Sequence, residues 1–379
     1  MTVASALTGV AFSTQAASPA AARLSGGGSV VAWVDKGLVS ARVLDNSGTP
    51  IGDVISVATA TPSSVAVAGL ANGEWIVAWD AVTLPAATPT AQRTTVQFRR
   101  YSATGALLQD TTTVAGPVYG VDAGMQAVGT PDGGFTVAFA AHDVTGAPGH
   151  IFAQRYQAGG SPLGGLVTLS ARPGEQQQPR LVALPDSSTL LVWLQQSGGA
   201  AIFMRRIDAA GLPAGGETQL ASSPSGASTL GARVLPSGNV AVAWTTVSRV
   251  SWQVFDLSGT ARTAQGDASV PFSAGGPAHV AVVASAAGNG FLVLVDTYFA
   301  WNRGSGQHLL DYEVGADGLL LSTKELAVAS VYSVSDITGN ATGPAAAGFG
   351  IAADTDGHFV YAWESASGVG VAQLSAAGQ

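Results

Sequence analysis

The feature that most limits how this chain can fold is a pattern that repeats along its length. Each repeat has a short apolar run, a tight turn, and a second apolar run that ends at an anchor residue. The anchors are Trp33, Trp79, Phe139, Trp193, Trp244, Val295 and Trp363. The turns before them include Pro131-Asp-Gly-Gly134 and Pro185-Asp-Ser-Ser188, and such Pro and Gly residues favour hairpins. Each repeat therefore begins with two antiparallel strands.

A third apolar run and a second turn complete most repeats. Phe152-Ala-Gln-Arg-Tyr156 is such a run, and Asp208-Ala-Ala-Gly211 is such a turn. Successive anchors lie 46 to 68 residues apart, and four strands per period of this size are typical of a propeller blade. The sequence predicts an all-β fold, a seven-bladed β-propeller with four-stranded antiparallel blades. The predicted blades span residues 19–61, 62–118, 119–174, 175–224, 225–274, 275–340, and 341–379 together with 2–14.

The two ends of the chain are predicted to complete the last blade together. After Trp363 the sequence offers a third strand, residues 369–374, but no fourth. Residues 2–14 contain Val3, Leu7, Val10 and Phe12, which suit a strand. An N-terminal strand that closes the last blade would leave no exposed strand edge between the ends. The whole chain, 1–379, is then a single domain.

Composition and charge argue against several partners. The net charge of −8 and pI near 5.0 argue against nucleic acid, whose binding depends on clustered Lys and Arg. Cysteine is absent, so disulfides and thiolate metal sites are excluded. The longest apolar run, residues 280–295, is interrupted by Gly288-Asn-Gly290, which predicts a hairpin and no membrane insertion.

The repeat resembles a group of secreted bacterial propellers whose units read Pro-Asp-Gly-Gly, an apolar run, Val-Ala-Trp, and then Ala-Gln-Arg-Tyr. The best matches are residues 131–139, Ala153-Gln-Arg-Tyr156 and Ser161-Pro-Leu-Gly164. The resemblance implies the propeller and an extracellular, secreted or cell-surface location in a bacterium. Low Lys content and abundant Ser, Thr, Ala and Gly favour export as well, although Met1-Thr-Val-Ala-Ser5 lacks the basic start of a signal peptide.

Three better-defined propeller families fit the sequence poorly. The Ser-x-Asp-x-Gly-x-x-Trp box of sialidases is absent from every repeat. Asp354-Thr-Asp-Gly357 is the one fragment of an integrin-like calcium loop, and it falls in a predicted hairpin turn. Ala78-Trp79-Asp80 matches the Trp-Asp ending of WD40 repeats once only.

Carboxylates follow five of the seven anchors and are the first candidate site. They are Asp35, Asp80, Asp143, Asp296 and Glu364. Equivalent positions in successive blades would arrange these groups around one opening, where they could bind a cation such as Ca²⁺ or act as acid and base. The alternative is that acidic residues at strand ends simply face water. No cofactor is predicted from any of the motifs.

Long loops at one end of the blades are the second candidate. The stretch from Asp296 to Arg303 places Tyr298 and Trp301 beside polar groups, which suits a sugar ring; these aromatic residues could instead pack on a neighbouring blade. His142 and Asp143 share a loop with His150 and could form a metal site or a relay, or only a solvated loop. The crossover Arg172-Pro-Gly-Glu-Gln-Gln-Gln178 adds polar groups at the same end.

Three functions follow from these patterns. The favoured one is an extracellular binding or adhesion propeller that recognises a glycan or a surface polymer through the long loops. Its predicted ligand-binding residues are Asp80, His142, Asp143, Asp296, Tyr298, Trp301, Arg303 and Glu364. The second is a polysaccharide-directed hydrolase or lyase that uses carboxylates with His142 or His150. The third is a structural module of an extracellular assembly.

Overall fold

The computed structural model describes residues 16–60, 62–84, 93–143, 147–170, 172–196, 201–222, 229–246, 248–270, 277–285, 290–301, 304–332, 349–353, 358–365 and 368–375. Every regular element in these ranges is a β-strand, which confirms the all-β prediction. Residues 2–14, the predicted closing strand, lie outside the described residues. The chain divides into two compact units, Ser18–Ser223 and Pro224–Gln379 with Met1–Ala17.

The first unit contains three antiparallel sheets. Sheet A consists of β1 (Ala16–Arg23), β2 (Ser29–Asp35), β3 (Leu38–Leu44) and β4 (Pro50–Thr59). Sheet B consists of β5 (Val65–Gly69), β6 (Trp75–Leu84), β7 (Arg93–Tyr101), β8 (Leu107–Gly129), β9 (Phe135–His142), β10 (His150–Tyr156) and β11 (Pro162–Thr168). Sheet C consists of β12 (Gln176–Ala183), β13 (Thr189–Gln195), β14 (Ala201–Ile207) and β15 (Pro213–Ser222).

The second unit also contains three sheets. Sheet D consists of β16 (Thr229–Val234), β17 (Val240–Thr245), β18 (Arg249–Phe255) and β19 (Gly266–Ser269). Sheet E consists of β20 (Pro277–Ala284), β21 (Phe291–Trp301), β22 (Gly304–Val314) and β23 (Leu320–Tyr332). Sheet F consists of β24 (Phe349–Ala353), β25 (His358–Ser365) and β26 (Gly368–Ser375). In all six sheets, each strand pairs with its neighbours in sequence, so the sheets are meanders.

Sheet B has seven strands because one long strand serves two halves of the sheet. The first part of β8 pairs with β7, and the last part pairs with β9. Gly120 and Gly124 in β8 have φ of +44° and +141°, values that residues with a Cβ rarely adopt. The strand bends, and the two halves pack on each other through a core that includes Phe98, Phe135 and Tyr156.

Successive side chains of each central strand point to opposite faces, and apolar side chains on both faces build a core on each side of the strand. In β6, Trp79 contributes to the core shared with sheet A, whereas Ala78 contributes to the core between the halves of sheet B. In β13, Trp193 packs in the core between sheets B and C. The anchors whose side chains the structure describes are almost fully buried, as expected of core residues: Trp33, Trp79, Phe139, Trp193, Trp244 and Val295.

At one end of sheets B and C, arginine side chains form hydrogen bonds with the turns of neighbouring repeats. Arg155 on β10 donates to Thr130, to Asp132 in the first turn of the same half-sheet, and to the carbonyl of Ala209 in the turn before β15 of sheet C. Arg100 does the same one repeat earlier, with Glu74 and the carbonyl of Ala158 as partners. The short first and third turns of the repeats therefore connect successive sheets. The second connections of the repeats and the crossovers of sheets B and C lie at the opposite end. The long loop predicted from Asp296 to Arg303 is wrong for residues 296–301, which belong to β21 and pair with β22 as far as Trp301 with Gly304.

Candidate functional site

The candidate site lies at the loop end of sheets B and C, within the first unit. Its central group is His142, the last residue of β9. The His142 side chain is 4% exposed, and its Nδ1 lies 2.6 Å from the carbonyl oxygen of Ala147. Because a carbonyl oxygen can only accept, Nδ1 carries the proton. This fixes the tautomer of the neutral ring and makes Nε2 the nitrogen that can take up a proton.

Glu175 faces the other side of the His142 ring. Its Oε1 lies 3.9 Å from His142 Nε2, and its Oε2 accepts a hydrogen bond of 3.0 Å from the backbone N–H of Gly149. A Cβ on Gly149 would overlap the Glu175 carboxylate, so the glycine permits this approach. The Glu175 side chain is 26% exposed. It can therefore meet a ligand while it remains held against sheet B.

Arg93, Tyr119 and His142 form a row across the end of sheet B. Tyr119 on β8 is the register partner of Arg93 on β7 and of His142 on β9. The guanidinium carbon of the exposed Arg93 lies 5.4 Å from the centroid of the half-buried Tyr119 ring, a cation–π arrangement. The row places a cation, an aromatic hydroxyl and an imidazole on three adjacent strands. Sequence patterns did not single out Arg93 or Tyr119, because their proximity depends on the register of β8.

The crossover into sheet C is held rigidly beside this row. Gln176 is fully buried, and its Oε1 accepts a hydrogen bond of 2.5 Å from the Trp193 indole. Arg172 lies with its guanidinium carbon 4.2 Å from the centroid of the Phe203 ring, and its Nε is 2.9 Å from Glu217 Oε2. These contacts fix both ends of the segment that carries Glu175. The polar crossover predicted from the sequence therefore contributes a carboxylate to the site.

Asp80 has a structural environment. It is 1% exposed, and its two oxygens accept hydrogen bonds from the backbone N–H groups and the hydroxyls of Ser63 and Ser64, at 2.7 to 3.3 Å. Burial raises the pKa of Asp80, and the backbone hydrogen bonds from Ser64 and Ser63 oppose this rise. The carboxylate ties β6 to the segment that enters β5 and is not presented to solvent.

Asp296 is also buried, with no exposed surface. The hydroxyl of Tyr361, on β25 of sheet F, lies 3.3 Å from Asp296 Oδ1 and donates to it. Burial, followed by the neighbouring Asp296 carboxylate, raises the pKa of Tyr361 well above its ordinary value. Asp80 and Asp296 are therefore inter-strand and inter-sheet groups. Neither lies on an open rim.

The remaining predicted residues have varied positions. Asp143 is exposed at the start of the loop after β9. His150 pairs with Ala141, and because neighbouring residues on a strand face opposite ways, His142 and His150 lie on opposite faces of sheet B. Arg303 and the side chains of Tyr298, Trp301 and Glu364 lie outside the described residues.

Neither a cluster of metal-binding side chains nor a membrane-spanning helix is found in the part of the chain that the structure describes. That part contains no group of three or more His, Asp or Glu side chains arranged to hold a metal ion. It also contains no helix of the length and apolar character needed to cross a membrane.

No family model matches the chain, and no curated protein is similar to it in sequence. Solved structures are similar in fold. An ulvan lyase of polysaccharide lyase family PL25, bound to -[GlcA(1-4)Rha3S]-, is 8% identical with a TM-score of 0.60, over 97% of this chain and 96% of that one. The NanB sialidase of Streptococcus pneumoniae is 12% identical with a TM-score of 0.50, over 99% and 70%. A protein of unknown function from Dyadobacter fermentans is 12% identical with a TM-score of 0.52, over 78% and 93%. At such low identity the likeness concerns the fold, which is all-β and propeller-like.

Proposed function

We propose that this chain is a secreted or cell-surface β-propeller that binds a glycan or a similar surface polymer through the loop end of its sheets. In this proposal the propeller has seven blades, and residues 2–14 supply a strand to the last one. The repeating anchors and the four-stranded meanders support the architecture. Two structures of similar fold, an ulvan lyase and a sialidase, belong to proteins named for action on glycans.

The observation that carries the proposal is the grouping of Arg93, Tyr119, His142 and Glu175 at one end of sheets B and C. The partly exposed carboxylate of Glu175 is a group that accepts hydrogen bonds from sugar hydroxyls. An exposed guanidinium can donate to hydroxyl or carboxylate oxygens, and an aromatic ring beside it offers an apolar face to a sugar ring. Aromatic side chains together with a few placed polar groups are typical of ligand sites.

Binding to a glycan array tests this proposal, followed by titration of any glycan that binds. We expect Glu175→Gln and Arg93→Ala each to lower the affinity for that glycan about tenfold, which corresponds to about 1.4 kcal/mol of binding free energy. Arg262→Ala is a matched control, because Arg262 is an exposed arginine that is likewise held by one acidic partner, Asp256, in the connection between β18 and β19. Unchanged affinity in both site variants, or no glycan bound by the wild type, would contradict the proposal and favour a structural module.

A second candidate is an enzyme that acts on a polysaccharide, and the fixed tautomer of His142 favours it. With Nδ1–H held by Ala147, Nε2 can accept a proton beside Glu175, and the Tyr119 hydroxyl lies on the adjacent strand. Such groups suit general acid and base catalysis. Incubation of the bound glycan with the protein distinguishes the two candidates. New reducing ends indicate hydrolysis, new unsaturated ends indicate a lyase, and intact glycan supports binding alone.

A further inference from the structure

The repeat places Asp80 and Asp296 at the same position, but their surroundings differ. Each is the first residue after an anchor, Trp79 or Val295, on the second strand of its repeat. Val65 pairs with Trp79 in sheet B, which sets Ser64 opposite Asp80. In sheet E the residue opposite Asp296 is His279. A serine that bonds a structural carboxylate in one repeat is thus replaced by a titratable imidazole in another.

The facing sheet shows a second replacement. Tyr361 lies two residues before the anchor Trp363 and donates its hydroxyl to Asp296. The residue two before the anchor Phe139, on the half-sheet that faces Asp80, is the buried Val137. Asp296 therefore has an imidazole as its cross-strand partner and a tyrosine hydroxyl from the facing sheet, where Asp80 has a serine and a valine at the equivalent places.

His279 can meet a ligand through Nε2, because its Nδ1 is buried. It lies on β20, an edge strand of sheet E, and is partly exposed, whereas Asp296 and Tyr361 behind it are buried. A β-bulge falls between Pro277 and His279, and bulges of this kind are common beside active sites because they redirect a side chain. Cross-strand partners on one face have Cβ atoms about 5 Å apart, within reach of an imidazole–carboxylate contact.

We propose that His279, Asp296 and Tyr361 form an acid–base site at which His279 activates water against an acyl ester. His279 takes a proton from water, the water oxygen keeps its electron pair and bonds to the carbonyl carbon, and the ester C–O bond breaks. The proton then passes from the imidazolium to the departing oxygen. Asp296 is a positioning residue that stabilises the imidazolium, and Tyr361 holds Asp296. Glycoside cleavage is a poorer match, because it uses two carboxyl groups that face the sugar, and Asp296 has no exposed surface.

Hydrolysis of 4-nitrophenyl acetate, followed as a function of pH, tests the proposal independently of any glycan. We expect His279→Gln to lower the rate about tenfold or more, within the usual contribution of a general base. Asp296→Asn should move the midpoint of the pH–rate profile to lower pH, because the imidazolium loses its anionic partner. Tyr361→Phe should move the midpoint to higher pH, because the carboxylate then keeps more of its charge. Other charged groups on this face of the described sheet are Asp311, Glu313 and Lys324, and they are unchanged in these variants.

Asp80→Asn is the matched control, because it removes a buried carboxylate at the equivalent repeat position. Its rate and midpoint should equal those of the wild type. A loss of folding would move the midpoints of both variants in the same direction. The opposite shifts expected for Asp296→Asn and Tyr361→Phe would therefore indicate a role in proton transfer. A His279→Gln variant with the wild-type rate, or a midpoint that neither Asp296→Asn nor Tyr361→Phe alters, would overturn the proposal.

Discussion

Arg155 and Ala209 connect sheets B and C through a hydrogen bond of 2.8 Å from the arginine Nε to the alanine carbonyl oxygen. The same guanidinium lies 2.5 Å from Asp132 Oδ2, and the arginine side chain is 1% exposed. Arg206 is its equivalent in the next repeat and pairs with Asp186, but it is 39% exposed. The same residue type at the same repeat position is thus buried in one sheet and solvated in the next.

Replacement of Arg155 should therefore cost far more stability than replacement of Arg206. We expect Arg155→Ala to lower the free energy of unfolding by about 3 kcal/mol, because it removes a buried charge and three inter-strand and inter-sheet hydrogen bonds. Arg206→Ala should cost less than about 1 kcal/mol, as exposed ion pairs do. Urea unfolding of the two variants measures the difference. Equal losses would show that burial of Arg155 does not determine its contribution.

Gly129 should tolerate no side chain. A Cβ at this position would overlap the carbonyl oxygen of Gly69 on β5. In the same way, a Cβ on Gly69 would overlap the carbonyl oxygen of Arg23 on β1. Because both obstacles are backbone atoms, the strands would have to separate. We expect Gly129→Ala to destabilise the protein by about 2 kcal/mol. Gly165→Ala, at an exposed position with no neighbour within 4 Å, is the control and should be close to neutral. Thermal melting of both variants checks this result.

Asp311 should make stability depend on pH. It is 3% exposed, and burial raises its pKa to about 7 while Lys324 opposes the rise. A carboxyl group whose pKa is raised on folding favours the folded state below its unfolded pKa and loses this contribution as pH rises through the folded value. The free energy of unfolding should thus fall between about pH 4 and about pH 7, by up to about 4 kcal/mol.

Asp311→Asn should flatten this dependence, because the amide stays neutral throughout. Urea unfolding at several pH values between 4 and 8 makes the comparison. The variant should be more stable than the wild type at the alkaline end and similar to it at the acidic end. Parallel curves for the two proteins would assign the pH dependence to other groups.

The sequence was sufficient to predict the strands and their order within a repeat. The turn at Pro185 to Ser188 is a hairpin turn, with the N–H of Leu184 bonded to the carbonyl of Ser188, because Pro, Asp and Ser have strong local preferences. Trp79 and Trp193 are buried, as their place in alternating apolar runs predicts. These properties depend on neighbours in sequence and can be recognised without a structure.

The position of the site residues depends on strand register and on sheet packing, and local sequence patterns contain neither. Asp80 and Asp296 have the same sequence signature, yet Ser64 faces one and His279 the other, which only the pairing register reveals. Glu175 was part of a polar crossover in the sequence, but its approach to His142 depends on how sheets B and C pack. Arg93 and Tyr119 are 26 positions apart and meet because they are register partners in the β7–β8 ladder.

The continuous course of β8 also restricts how this chain can change by gain or loss of repeats. The other described sheets share no strand with one another, so excision of one of those repeats would remove whole strands. Here the same strand is the last member of one half of sheet B and the first of the other. A recombination event that deleted either half would leave its survivor with an incomplete ladder, so we expect these two repeats to be inherited as a pair.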